Sequence, residues 1–234
     1  RYPGRRVNMR YDYLLIDNDN TLMDFDRAEG CALREALEAF QLPNDDATCE
    51  VYAEMNAALW KALERGEITQ KELLVERFRQ LLAYLRVTSV EAQALCNEYN
   101  PDLGRHAELL DGALDFMEQV HGKMKIALVS NGVSSIQRDR LARCAYTPML
   151  DAVIISEEVG ASKPRPEIVD MALRALGCED RRRAVLMGDS LTADIAAARA
   201  ARLDSIWYAP GEKTSDAPTY TVRSFEEAKR LLLG

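Results

Sequence analysis

Residues 16–26 read IDNDNTLMDFD, and the first acidic pair in that stretch is not ordinary surface. A short apolar run, Tyr13-Leu14-Leu15-Ile16, ends abruptly in Asp17, Asn18, Asp19 and Asn20. Two carboxylates therefore stand two positions apart where a buried strand emerges, and like charges so placed repel unless something offsets them. Three more apolar runs lead into polar groups. One ends in Ser130-Asn131-Gly132, one is followed by Lys163-Pro164, and one ends in Gly188-Asp189-Ser190, with Asp194 a helical turn later. Carboxylates suit hard cations and proton transfer; a lysine and a hydroxyl suit an anion. One acidic strand end would mean little. Four such ends on one edge of a sheet describe a site, because open parallel sheets bind ligands beyond the carboxyl ends of their strands.

The elements that must position these groups can be read from periodicity. Apolar runs at 125–131, 152–156, 184–190 and 205–209 alternate with helical patterns near 112–121, 134–144, 166–176 and 193–201. Continuous apolar strands alternating with helices predict a parallel sheet covered on both faces, and the strand at 13–17 belongs to it. From about 27 to 103 the chain reads as helix after helix. Leu33, Ala36, Leu37 and Phe40 repeat at helical spacing, as do Tyr52, Met55, Leu59 and Ala62. Thr69 with Glu72 predicts a capping box, and Thr88 with Glu91 predicts another before a last helix that should stop at Asn100-Pro101. The expected organisation is an N-terminal extension over 1–9, an α/β core over 10–26 and 104–234, and an all-helical insert over 27–103.

Composition narrows the classes. A chain of 234 residues that is 47% hydrophobic suits one large domain with an inserted module. Its net charge of −8 and lack of a sustained basic stripe argue against nucleic-acid polymers, and Arg181-Arg182-Arg183 reads as a solvated loop before a strand. No apolar run approaches the roughly 20 residues of a membrane helix. Five cysteines without CxxC spacing are expected to be free thiols, which suggests a cytoplasmic protein. The only histidines, His106 and His121, argue against a histidine triad or a histidine-rich metal site.

Taken in order, the four motifs resemble the haloacid dehalogenase superfamily in its phosphatase branch. DNDNT matches that family's DxDxT, Ser130 in LVSNG its second motif, Lys163 in EEVGASKPRPEI its third, and GDSLTAD its acidic fourth. The likeness runs from about Tyr11 to Ser224. It implies a Rossmann-like, doubly wound α/β core with a helical cap inserted between the first two motifs. Asn20 departs from the glycine common there, but asparagine tolerates the left-handed backbone better than most residues.

The resemblance also implies roles. Asp17 is the expected nucleophile and forms an aspartyl-phosphate. Asp17, the carbonyl of Asp19, and Asp189 are the expected ligands of Mg²⁺, which would offset the repulsion between residues 17 and 19. Asp194 either joins them or orients the metal's waters. Asp19 would protonate the leaving alkoxide and then activate water. Ser130, Asn131 and Lys163 would hold the phosphoryl group, with backbone N–H groups completing the cradle. Glu157 and Glu158 either orient Lys163 or form a solvated pair. Trp60, Met55 and Phe78 read as helix-packing core. Residues 25–26 (FD), residues 59–60 (LW) and ISEEVGASKP most resemble the pyrimidine 5′-nucleotidases, which implies a small nucleotide as substrate. The alternatives are another small phosphate ester, such as phosphoglycolate or a sugar phosphate; a phosphomutase; a dehalogenase, disfavoured because halide departure needs no acid such as Asp19; and a non-enzymatic scaffold, which would predict a broken site.

Overall fold

The computed structural model describes residues 9–234, so the expected extension over 1–9 lies, but for Met9, outside the described residues. Six short, apolar strands form the sheet: Tyr13–Ile16 (β1), Lys125–Ser130 (β2), Ala152–Ile155 (β3), Ala184–Gly188 (β4), Asp204–Tyr208 (β5) and Tyr220–Val222 (β6). Their order is β3-β2-β1-β4-β5-β6, and every neighbouring pair is parallel. From β1 the chain works outward to β3, then crosses back to β4 on the other side and works outward to β6. Strand order thus reverses between β1 and β4, the place where doubly wound sheets open a crevice at their carboxyl edge.

Among the described residues ten α-helices accompany the strands: Phe25–Ala39 (α1), Asp46–Glu64 (α2), Gln70–Tyr84 (α3), Ala92–Arg105 (α4), Ala113–Val120 (α5), Ser134–Ala142 (α6), Ser156–Val159 (α7), Pro166–Leu176 (α8), Ala196–Ala200 (α9) and Phe225–Leu233 (α10). Two compact units result. One comprises the chain up to Met23, Leu109–Ser134 and Cys144–Gly234; the other comprises Asp24–Glu108 and Ser135–Arg143.

In the first unit, Leu15, Val129 and Leu186 of the central strands are buried against Ile168, Val169 and Leu173 of α8 and Ala197 and Ala198 of α9. Each buried leucine, isoleucine or valine among them contributes about 1.5–3 kcal/mol by leaving water. Phe225 of α10 packs on Phe116 of α5 and stacks on Tyr208 of β5, with centroids 5.3 and 4.8 Å away. β6 and α10 are not foreseen by periodicity. β6 has three residues, too few for a pattern, while α10 is capped by Ser224, whose hydroxyl accepts from the Glu227 N–H. At the junction with the helical unit, Leu110 N–H donates to the Leu22 carbonyl and Met23 bridges Leu109 antiparallel.

In the helical unit, the Thr69–Glu72 capping box forms as expected. The one expected at Thr88–Glu91 does not. α4 begins at Ala92 with Glu91 as its N-cap and no side-chain cap bond. Pro101 does not end that helix either; it lies inside α4, which runs to Arg105. The cost of a mid-helix proline is opposed here by the burial of Tyr99, Asp102 and Leu103 around it. Phe78 is fully buried and makes an aromatic cluster with Tyr52 and Tyr99, with Arg77 over the rings of Phe78 and Tyr99. Met55 and Trp60 are half-buried. The unit's own ends meet, for Asp24 N–H donates to the Glu108 carbonyl at 3.0 Å.

Among the described residues no helix is long and apolar enough to cross a membrane, and all five cysteines are free thiols.

Candidate active site

Asp17 is the first residue beyond β1, and its N–H still bonds to Met187 of β4 at 2.9 Å, so the ladder carries it to the strand-order reversal. The following loop is tied down. The Asn18 carbonyl accepts the N–H groups of Thr21, Leu22 and Met23, and the Asn18 side chain accepts the Tyr146 hydroxyl and donates to the Met23 sulfur. Asn20 takes φ 56°, the left-handed turn that its side chain tolerates. Thr21 donates its hydroxyl to Asp17 Oδ2 at 3.3 Å. Asp17 is thus buried and oriented, while Asp19, two residues on, is half-buried.

Lys163 is 3% exposed and reaches the same point from the loop after α7. Its ammonium donates to Asp17 Oδ1 at 2.5 Å, to Asp194 Oδ1 at 2.7 Å and to the Val129 carbonyl at 2.8 Å. Burial alone would lower its pKa; the two carboxylates more than reverse that, so it stays a fixed cation. Asn131, at the end of β2, holds the lysine's backbone at two points, donating to the Lys163 carbonyl and accepting from the Lys163 N–H, each at 2.8 Å. Its side-chain amide is thus committed to the backbone of Lys163. Ser130 is buried, and its hydroxyl accepts the Gly132 N–H. Glu157 and Glu158 turn to Ser134, accepting its N–H and its hydroxyl respectively, so the grip on Lys163 comes from Asn131 and the aspartates.

Asp189 and Ser190 lie just past β4 and lead into a widened, π-helical turn, Leu191–Ile195, that presents Asp194. Asp194 Oδ2 accepts the Ser190 N–H at 3.0 Å. On the other side of that peptide, the Asp189 carbonyl accepts the indole N–H of Trp207 at 2.7 Å. The carboxylate of Asp194 fills the space beside Gly188, where a Cβ would stand 2.3 Å from it. Glycine is required at 188 for room.

Oxygens of Asp17, Asp189 and Asp194 all lie within 4.8 Å of one another. Three carboxylates facing one ammonium leave uncompensated negative charge in a mostly buried place. The pKa values respond: burial, then the neighbouring aspartates, push Asp189 up to about 8, and burial outweighs Lys163 to push Asp17 up to about 7. Hard oxygen donors, crowded and short of positive charge, fit a small divalent cation such as Mg²⁺. Asp194 lies in this cluster with Asp17 and Asp189, its Oδ1 accepting from Lys163 and its Oδ2 from the Ser190 N–H. Gly188 and Trp207 were not singled out from sequence. Gly188 stands inside the GDS motif, but its reason is the approach of a carboxylate six residues on; Trp207 had no signal beyond an apolar strand.

The chain is 33% identical to the pyrimidine 5′-nucleotidase PynA of Streptococcus pneumoniae, covering 94% of each chain. It is 31% identical to the pyrimidine 5′-nucleotidase YjjG of Escherichia coli, over 96% of this chain and 99% of that one. The magnesium-bound crystal structure of the HAD-hydrolase YfnB from Bacillus subtilis superposes with a TM-score of 0.89 at 32% identity, over 95% of this chain and 99% of the other. The model of the haloacid dehalogenase-like hydrolases matches residues 14–208, which span β1 to β5 and every strand end described above, and the chain belongs to that family.

Proposed function

We propose that this hydrolase is a Mg²⁺-dependent phosphomonoesterase acting on pyrimidine nucleoside 5′-monophosphates through an aspartyl-phosphate on Asp17. The observation that carries the chemistry is the convergence of Asp17, Asp189, Asp194 and Lys163 at the point where strand order reverses. Likeness to two pyrimidine 5′-nucleotidases over nearly their whole length supports the substrate.

Asp17, Asp189 and Asp194 would hold the ion. When bound, Mg²⁺ supplies positive charge that keeps Asp17 ionised and draws the phosphate anion to it. Asp17, oriented by Thr21 and Lys163, attacks phosphorus; the P–O bond to the ester oxygen breaks as Asp19 gives that oxygen its proton. Water then attacks phosphorus and surrenders a proton to Asp19, the bond to the Asp17 oxygen breaks, and inorganic phosphate leaves. Ser130 and backbone N–H groups hold the phosphoryl oxygens, and Lys163 supplies a fixed positive charge beside them. The base lies remote from phosphorus, so binding energy from it should appear in kcat/KM as well as in affinity.

The test is kcat/KM for dUMP, dAMP, ribose 5-phosphate and phosphoglycolate with Mg²⁺ and with excess chelator. We expect dUMP to lead by about tenfold or more, the worth of one base-specific hydrogen bond, and chelation to stop turnover. If phosphoglycolate or the bare sugar phosphate leads, the nucleotidase reading fails and the phosphatase reading stands. Full activity in chelator would refute the metal.

A further inference from the structure

Trp207 lies on β5, directly beside Gly188 of β4 in register, and is 4% exposed. Its indole does two things at once. The N–H donates to the Asp189 carbonyl at 2.7 Å. The ring packs with Ile195 and Ala209, and Leu191 closes against the same cluster, so it also supports the turn that carries Asp194.

The peptide unit between Asp189 and Ser190 is consequently held from both sides. Its carbonyl is fixed by Trp207 and its N–H by the Oδ2 of Asp194. A peptide plane so clamped cannot rotate, and the direction of that plane sets where the Asp189 carboxylate points. Two of the three clustered aspartates therefore take their aim from one indole. Trp207 touches neither the phosphate-binding groups nor the cluster's carboxylates in any of these bonds. It acts through the backbone.

We infer that Trp207 is a positioning residue for the metal: its N–H sets the Asp189–Ser190 peptide so that Asp189 and Asp194 converge on one Mg²⁺. The inference rests on the metal reading above. It concerns affinity for the ion, and predicts that removing the N–H weakens Mg²⁺ binding while leaving the fold in place. The loss of this part-buried hydrogen bond should raise the Mg²⁺ dissociation constant by about five- to thirtyfold. Because the ion can still be driven on by mass action, kcat at saturating Mg²⁺ should return to within about twofold of the parent enzyme.

The experiment uses Mg²⁺ alone. The chain has two tryptophans, so Trp60→Phe leaves Trp207 as the sole indole. In that background the Mg²⁺ dissociation constant is measured by calorimetry and by the emission of Trp207, which should shift on saturation. Two comparisons follow: Trp207→Phe, and replacement of Trp207 by benzothienylalanine, which keeps the ring's shape and lacks the N–H. The second variant keeps the test decisive if the first does not fold. A raised dissociation constant in the sulfur isostere, measured well below the melting temperature of the metal-free variant, supports the inference. An unchanged constant overturns it and leaves the metal reading intact. If the parent protein takes up no Mg²⁺ at all, the metal reading itself falls, and this inference with it.

Discussion

Gly188→Ala adds a single methyl group and should be among the most damaging small changes in the chain. The backbone at 188 is not left-handed, so alanine is conformationally permitted and should by itself stabilise the fold by about 0.4–1 kcal/mol through the unfolded state. The opposing effect is local. The new Cβ would lie 2.3 Å from the Cγ and Oδ2 of Asp194, a side chain 1% exposed. Asp194 must move, which endangers its bonds to the Lys163 ammonium at 2.7 Å and to the Ser190 N–H at 3.0 Å. Overpacking costs about 1–3 kcal/mol, and each buried charged hydrogen bond lost adds about 1.5–3. The clash therefore wins by roughly 1.5–5.5 kcal/mol if one bond breaks and roughly 3–8.5 kcal/mol if both do. For a chain of this size one lost bond lowers Tm by about 3–20 °C, and two lower it further. Circular dichroism melts of both proteins in chelator measure it, and calorimetry should give a Mg²⁺ affinity at least tenfold weaker. A Gly188→Ala protein with the parent's Tm and Mg²⁺ affinity would refute the close approach of Asp194 to residue 188.

Two further outcomes follow from the same cluster. In chelator, folded Asp17 and Asp189 titrate near 7 and 8, above their ordinary value of 3.8, so between about pH 4 and 8 the folded state holds protons that the unfolded chain has released, and stability must fall as pH rises through that window. Tm should decline from pH 5.5 to pH 8.5 more steeply than in Asp189→Asn, and an equal slope in both proteins would sink the assignment. Asn131→Ala removes both bonds to the Lys163 backbone and should lower kcat/KM by about thirtyfold, with Asn131→Asp intermediate because it keeps the acceptor for the Lys163 N–H; a fully active alanine variant would show that the lysine needs no such guide.

Much of the site was legible because its residue types and their order survive projection onto one dimension. Asp17, Asp19, Ser130 and Asp189 each stand at or just after a strand whose apolar run announces itself, and a parallel sheet brings such ends to one edge without further information, whereas Lys163 follows the short helix after β3. What was not legible depends on contacts between distant residues. Asn131 read as a phosphate ligand, but nothing in LVSNG reveals that its amide meets the backbone of residue 163. Glu157 and Glu158 offered themselves as partners for Lys163, yet the N–H and hydroxyl of Ser134 take them. The proline at 101 read as a stop because the local rule is sound; burial of its neighbours overrode it. β6 was missed because three residues cannot carry a period.

The junction between the units has a topological consequence. The catalytic unit closes on itself through the Leu22–Leu110 bond and the Met23–Leu109 bridge, and the helical unit closes on itself through Asp24 and Glu108. Both ends of the excursion from 24 to 108 are thus already side by side. An unstructured loop of that length would cost on the order of 3 kcal/mol more to close than a tight turn, since each doubling of length adds about 0.6 kcal/mol. A folded insert whose termini are pinned together escapes most of that penalty and behaves, as far as the sheet is concerned, like a two-residue hairpin turn. It is a socket: the bonds at 22–23 and 109–110 lie on the sheet's side of the insertion, so the register of β1, β2 and β4 does not depend on the length of chain between them.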